Sequence, residues 1–235
     1  MFSAPPLTPV VKKLIITLFA AFVLELLLQN FAQLDVASLL AFTPSELRPS
    51  TLHQLFTYVL IGERDSLWLL VNLLFMWLIM SPFESAFGRR HTLELIGAGI
   101  LGGSLAALLA SFILPSTGDR LVGSNTIAYA GMAAMTQVMG SRKMMFFGVV
   151  PMTARQLLLV LAGFALLHYL QTKQHLYLAS SLGALAAGVG YVKYMARAPR
   201  PSAPKRPRNT RFRVLRGGGG RGGGDDDSDR PKWLN

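Results

Sequence analysis

The residues best suited to chemistry lie in one stretch of small and apolar residues, Leu121 to Ala134. Its polar side chains are those of Ser124, Asn125, Thr126 and Tyr129. A hydroxyl group becomes a nucleophile when a base within hydrogen-bond reach takes its proton. Polar groups inside a membrane bundle are costly and mark functional sites. We therefore interpret the stretch as a catalytic centre or as the remnant of one.

Two other apolar segments carry polar residues that are expected to meet this stretch. Trp68 and Asn72 are four residues apart, so a helix would place them on one face. Ser181 stands near the start of the last apolar segment. If the helices form a bundle, all of these positions come together in the same half of the membrane.

The composition is that of a membrane protein. Of the 235 residues, 51% are hydrophobic and 15% are charged, whereas soluble domains carry about 25% charged residues. The chain has no cysteine, which excludes disulfides and thiolate chemistry. The sequence predicts no metal site and no cofactor.

Six segments are long and apolar enough to cross a bilayer as helices. They cover residues 11–29, 66–87, 92–114, 121–139, 154–171 and 175–195. We predict an all-α membrane protein, with the first segment retained as a helix rather than cleaved as a signal peptide. Residues 30–65 would form a long extracytoplasmic loop between the first two helices, folded as an interfacial hairpin of short helices.

The distribution of basic residues predicts the orientation. Lysines and arginines concentrate on one side of the six segments, and the positive-inside rule then puts both termini in the cytoplasm. We predict a multi-pass protein of a bacterial inner (plasma) membrane.

The last part of the chain has a different character. We divide the chain into a membrane domain, residues 1–196, and a disordered cytoplasmic tail, residues 197–235, which is basic and glycine-rich. The tail contains eleven Lys and Arg residues and four Asp residues. Its segment Arg197 to Arg216 is expected to contact anionic lipid at the cytoplasmic face of the bilayer, and no specific nucleic acid is expected to bind.

Five short motifs follow one another between residues 50 and 195. They are LHQLFTY at 52–58, Trp68 with Asn72, Glu84 with Gly88, Gly123-Ser124-Asn125-Thr126 with Tyr129, and Ser181 with Ala184 and Gly188. In order, spacing and topology this set resembles the rhomboid family of intramembrane serine proteases. The resemblance implies a rhomboid-like bundle of six transmembrane helices, but a fold does not by itself establish a function.

The departures from the family pattern fall on its chemistry. The resemblance puts Asn125 at the position of the nucleophilic serine, Ser181 at that of the general-base histidine, and Trp68 at that of a histidine that helps bind the oxyanion. A hydroxyl has no useful basicity near neutral pH. Losing members of such a catalytic unit costs roughly 10⁴- to 10⁶-fold in rate, so we expect no catalytic residues.

The remaining motif positions are expected either to bind a client segment or to stabilise the fold. Those assigned to client binding, as the remnant of the oxyanion site, are Trp68, Asn72, Asn125, Thr126 and Tyr129. Those assigned to structure are Glu84, Gly88, Gly123, Ala184 and Gly188. We also expect Glu25 to reach the membrane interface by snorkelling, Ser180 and Ser181 to bond to their own helix, and Gly97, Gly99, Gly102 and Gly103 to permit tight helix contacts.

We predict a pseudoprotease that binds the transmembrane segments of client proteins in the lipid bilayer without cleaving them. One alternative is an active intramembrane protease with a displaced nucleophile, Ser124, which would need one of the histidines as its base. A second alternative is a membrane assembly or scaffold subunit that acts through the basic tail.

Overall fold

The computed structural model describes residues 6–62, 66–114, 120–139, 143–146 and 150–197. The chain divides into two compact units, residues 1–198 and 199–235. The second unit contains most of the predicted tail and lies outside the described residues. The disorder of the tail and its contact with lipid therefore stay predictions.

Helices make up most of the described structure. They are α1 (Pro9–Phe31), α2 (Val36–Leu40), α3 (Gln54–Thr57), α4 (Ser66–Ile113), α5 (Asn125–Met139), α6 (Ala154–Thr172) and α7 (His175–Arg197). Between α2 and α4 the chain also makes short 3₁₀ turns at Pro44–Glu46, Pro49–Thr51 and Tyr58–Leu60. The helical class is confirmed.

A short antiparallel hairpin between α5 and α6 is an addition to the predicted all-helical fold. Strand β1 (Lys143–Phe146) pairs with β2 (Val150–Thr153), with Lys143 opposite Thr153. The second strand leads directly into α6, where the Thr153 hydroxyl accepts a hydrogen bond from the Gln156 amide. The Gln156 side chain accepts one from the Thr153 amide, which completes a capping box.

The long helix α4 is two helices joined at Gly88. This residue has φ 84° and ψ 171°, a backbone conformation that only glycine adopts readily. We call residues 66–87 α4a and residues 89–113 α4b. They correspond to the second and third predicted spans.

Two described helices are long and apolar enough to cross a membrane, judged by length and composition. They are Trp68–Ile113, with mean hydropathy 2.0, and His175–Arg197, with mean hydropathy 1.2. The first contains both α4a and α4b. The count of six spans stays a prediction.

The helix α5 forms the core of the bundle, because all residues from Asn125 to Met135 are buried. Small residues allow its neighbours to approach closely. A Cβ atom at Gly99 of α4b would overlap the side chain of Ala130, and one at Gly188 of α7 would overlap the carbonyl oxygen of Ala130. The expectation that Gly97 permits a tight helix contact is wrong, because a Cβ atom at Gly97 would have open space around it.

The predicted span 121–139 begins four residues too early. Leu121 pairs with Phe42 in an isolated antiparallel bridge, through hydrogen bonds of 2.8 and 3.0 Å. Gly123 has a φ of 100°, which ends the extended segment and directs the chain into α5. A helix cannot include residues whose amides and carbonyls are already paired with another segment.

The connection between α1 and α4 is predicted to be an interfacial hairpin of short helices, and its position at the interface stays a prediction. It does contain short helices, but Phe42 and Tyr58 are completely buried. The pairing of Phe42 with Leu121 holds this connection against the start of α5. Phe42 and Tyr58 are therefore part of the packed interior. Leu39, Leu52 and Phe56 of the same connection are exposed.

Candidate functional site

The predicted site residues meet at the junction of α4a and α5. The Asn72 side chain donates a hydrogen bond from Nδ2 to Oγ of Ser124, 3.0 Å away, and both residues are buried. The Ser124 carbonyl accepts the amide of Ile127, as the residue before a helix does. Ser124, the predicted alternative nucleophile, therefore lies in a contact between two helices. Asn125 is buried beside it as the first residue of α5.

Thr126 belongs to a second buried contact. The Tyr58 hydroxyl donates to the carbonyl of Ile100, 3.0 Å away, and lies 3.0 Å from Oγ1 of Thr126. Since the phenol has a single proton, Thr126 is the donor in the second bond. Burial raises the pKa of Tyr58 above its usual range, so the phenol stays neutral. This contact joins the first connection, α4b and α5.

Tyr129 and Ser181 face other partners. The Tyr129 hydroxyl donates to the carbonyl of Leu161 on α6, over 3.2 Å. Ser180 and Ser181 both donate to the carbonyl of Tyr177 in their own helix, each over 2.8 Å. The expected bonding of these two serines to their own helix is confirmed. A hydroxyl in this arrangement does not act as a general base.

The four histidines of the chain have partners of their own. They are His53, His91, His168 and His175. The first contacts backbone carbonyls of its connection, the second lies 2.9 Å from the Tyr191 hydroxyl, and the last two pack against tyrosine rings. Among the hydrogen bonds between described residues, none joins a histidine to Ser124. The arrangement does not supply the base that a displaced nucleophile needs.

A large cavity lies next to this junction. It has a volume of about 1110 Å³ and is bounded by α1, the start of α4a, the end of α6 and residues 120–122. Its lining includes the polar side chains of Glu25, Gln29 and Gln171. The indole of Trp68 and the ring of Phe164 also line it, in an edge-on contact with ring centres 5.9 Å apart.

Glu25 faces this cavity rather than the membrane interface. Its side chain is buried, and Oε2 accepts a hydrogen bond of 2.7 Å from the amide of Gly62. The expectation that Glu25 snorkels is wrong, because that backbone amide requires a buried acceptor. Nearby, Arg120 forms an ion pair of 3.2 Å with Asp35.

Trp68 is the one member of the predicted client-binding set that lines the cavity. Its indole nitrogen is buried and has no hydrogen-bond partner among the residues that the structure describes. The other four members of the set, residues 72, 125, 126 and 129, are buried outside the lining. The structure thus separates the predicted set into one cavity residue and four residues in the interior.

Glu84 and Gly123 hold the ends of elements in place. The Glu84 carboxylate is buried and accepts hydrogen bonds of 3.1 Å from the amides of Val10 and Val11, at the start of α1. This position favours a negative charge, because the first amides of a helix have no partner within it. Gly123 donates its amide to the carbonyl of Tyr58, over 3.1 Å.

On α7, Ala184 is completely buried and Gly188 lies against the backbone of α5 at Ala130. Only a residue without a side chain fits at Gly188 at this helix separation. This region is a helix contact in the described structure.

Sequence reasoning missed three participants. Tyr58 enters the sequence analysis only as part of the motif at 52–58, although it is completely buried and its hydroxyl contacts Thr126. Asp35 and Arg120 are 85 residues apart in sequence, and their pairing depends on the Phe42–Leu121 bridge, which no local pattern predicts. Within the described ranges no three acidic or histidine side chains come close enough to hold a metal ion.

Comparison with known proteins corrects the predicted identity. No curated protein matches the chain. A family model described as eukaryotic integral membrane protein (DUF1751) matches residues 13–223. The assignment to the rhomboid family is therefore wrong, and so is the bacterial inner membrane, because the matching family is eukaryotic. The integral membrane character agrees with the prediction. This chain belongs to the DUF1751 family of eukaryotic integral membrane proteins.

Proposed function

We propose that this protein binds a transmembrane segment of a client protein in the cavity between α1, α4a and α6, and that it does so without catalysis. The observation that carries the proposal is the cavity itself, about 1110 Å³ in the side of a helical membrane protein. Polar and apolar side chains share its lining, as a partly polar client segment requires.

The size of the cavity suits a short length of helix. Ligand pockets usually measure about 300–1,000 Å³, so this cavity lies at or above the upper limit. A helix is about 10 Å wide, and a cylinder of that width and this volume is about 14 Å long, or roughly two and a half turns. A client segment could therefore insert two to three turns.

Access from the bilayer is supported by the residues at the two sides of the cavity. Leu26 of α1 is 41% exposed and Leu167 of α6 is 54% exposed, and both belong to the lining. In a membrane protein, exposed leucines face lipid. A client segment diffusing in the bilayer could therefore enter between α1 and α6.

The polar chemistry of the lining favours binding over reaction. The Trp68 indole offers a buried donor that has no partner in the described part of the chain, and such a group in the membrane costs several kcal/mol until it is satisfied. The carbonyl of a loosely packed client helix would accept this bond. Each interhelical hydrogen bond in a membrane contributes about 0.6 kcal/mol on average, so we expect weak and broad selectivity.

We further propose that α1, α4a, α4b, α5, α6 and α7 all span the bilayer. Large apolar side chains are exposed on the outer helices, as at Leu24 of α1, Leu109 of α4b and Leu159 of α6, with exposed fractions of 56%, 64% and 69%. Such surfaces are stable against lipid. The central α5 has only 15 residues, and its burial among the other helices removes the need for a full apolar length.

The absence of cysteine makes the binding test direct, because one introduced cysteine is the only thiol for a fluorophore. Gln171→Cys places the label in the cavity lining, and Leu105→Cys places it on an exposed face of α4b outside the lining. The protein is reconstituted with a model transmembrane segment that carries an acceptor dye. Energy transfer that is saturable at Gln171→Cys and only collisional at Leu105→Cys supports the proposal, and equal transfer at both positions refutes it.

The basic tail is proposed as a second contact, with anionic lipid. The family match continues through residue 223 and so includes the segment Arg197 to Arg216. Each basic residue near an anionic surface contributes about 1 kcal/mol. Truncation after Arg197 should leave client binding unchanged. If it abolishes binding, the protein acts through its tail instead, as an assembly subunit would.

A further inference from the structure

We infer that the cavity selects client segments that carry a lysine or an arginine near one end of their span, and that Glu25 makes this selection. The inference rests on the proposed function, since it names the class of client that the same cavity prefers. It depends on the charges of the lining, on the further hydrogen bond that Oε1 of Glu25 can accept and on the aromatic rings that line the same cavity.

The first argument is charge balance. Among the residues that the structure describes, the charged side chains of Glu25, Asp35 and Arg120 line the cavity. Asp35 and Arg120 pair with each other at 3.2 Å. Glu25 makes no ion pair with any residue in the described part of the chain. Among the described residues, the lining therefore has one acidic group that is not paired with a cation.

The second argument is the state of the two carboxylate oxygens. Oε2 of Glu25 accepts the Gly62 amide at 2.7 Å, which is a strong hydrogen bond. Oε1 has only a contact of 3.5 Å with the side-chain amide of Gln29. Since a carboxylate oxygen accepts two hydrogen bonds, Oε1 can accept a further donor. A buried charge is costly unless it is paired, so a cationic donor stabilises it most.

The third argument is the aromatic wall. Trp68 and Phe164 line the same cavity in edge contact with each other. The face of an aromatic ring, that of tryptophan most strongly, attracts a lysine or arginine cation. A basic side chain in the cavity would thus meet a carboxylate and an indole together.

The position of Glu25 sets the position of the basic residue. Glu25 lies six residues before the end of α1 at Phe31, which is about 9 Å along the helix. A client residue about six positions from the corresponding end of its own span would lie at the same depth. A basic residue there is costly in lipid and gains from a buried partner.

The test uses the full-length Gln171→Cys protein in liposomes, with energy transfer to three dye-labelled model segments of leucine and alanine. The segments differ only at the sixth residue from one end, which is Leu, Lys or Glu. We expect the Lys segment to bind about tenfold more tightly than the Leu segment, and the Glu segment to bind most weakly.

Adding Glu25→Gln should lower the ratio of Lys-segment to Leu-segment affinity from about ten to about one. Its amide oxygen can still accept from Gly62, so the fold should persist. The matched control is Glu84→Gln. It removes a buried acid of α4a that accepts hydrogen bonds from the start of α1, and it should keep the preference for lysine.

Each outcome decides the matter. If the Leu and Lys segments bind the parent protein equally, the inference is overturned and the proposed function stands. If no segment binds, the proposed function fails and the inference fails with it. If Glu25→Gln keeps the preference, another group makes the selection. The comparison of the Leu and Lys segments on the parent protein still tests the preference for lysine if Glu25→Gln does not fold.

Discussion

The side-chain amide of Asn72 donates to the hydroxyl of Ser124 across 3.0 Å, and this bond links α4a to the start of α5. In the sequence these residues suggested an oxyanion donor and a displaced nucleophile. In the structure they satisfy each other inside a helix contact. The bond makes Ser124 part of the scaffold beside the cavity.

We predict that Asn72 and Ser124 are energetically coupled. A double-mutant cycle with Asn72→Ala and Ser124→Ala should give a coupling energy of about 0.6 kcal/mol, the average for an interhelical hydrogen bond in a membrane protein. Equilibrium unfolding in mixed micelles measures each variant. Strictly additive effects of the two substitutions would show that the bond contributes nothing.

The contact of α7 with α5 predicts opposite effects of two similar substitutions. Gly188→Ala places a methyl group on the carbonyl of Ala130 and should destabilise the protein by about 1–3 kcal/mol. Gly190→Ala meets no atom within 4 Å and should stabilise the helix by about 0.5–1 kcal/mol. Thermal unfolding in detergent compares them. Equal effects would contradict the close approach at Gly188.

The buried phenol of Tyr58 predicts a response to alkaline pH. Burial raises the pKa of Tyr58 in the folded protein. The pKa of a tyrosine in the unfolded chain is about 10. The stability that this difference provides is present below the unfolded pKa and is lost as the pH rises above it. Tyr58→Phe should cost about 1 kcal/mol at pH 7 and should make the alkaline loss smaller.

Unfolding followed between neutral pH and the highest pH that the liposomes tolerate would measure this response. Tyr194→Phe is the control, because that side chain is 72% exposed. This substitution should change neither the stability at pH 7 nor the loss of stability at alkaline pH. An alkaline loss that is the same in Tyr58→Phe as in the parent protein would contradict the assignment.

The carboxylate of Glu84 predicts a local effect at the start of α1. Glu84→Ala removes the acceptor of one buried and one half-buried amide and should destabilise the protein by about 1–3 kcal/mol. Hydrogen exchange at Val10 and Val11 should accelerate more than exchange in α5. Unchanged protection of these two amides would show that Glu84 is not their cap.

Some of this structure could be predicted from sequence because the relevant signals are local. Apolar length located the long helices, and the separate segments 66–87 and 92–114 predicted that the chain breaks near Gly88. The serines of α7 bond to their own helix, as hydroxyls one turn from a carbonyl do. None of these features depends on distant partners.

The rest depends on contacts between distant segments. The inward orientation of Glu25 requires Gly62, and the late start of α5 requires the pairing of Leu121 with Phe42. The motif spacing that suggested a protease family did not identify the family, because this chain matches a different family model. The cavity itself is formed by three helices together with parts of the connections between helices, and no single one of these segments has a signature of it.

The most direct test of the central claim is photo-crosslinking of a reconstituted client segment, with the size of the client read on the same gel. A photoreactive residue at Leu167 lies in the cavity lining, and one at Leu105 lies outside it. We predict that the client crosslinks at Leu167 and not at Leu105, and that all of it is recovered at full length. Crosslinks of equal strength at both positions, or shorter client fragments that disappear in Ser124→Ala, would contradict non-catalytic binding in the cavity.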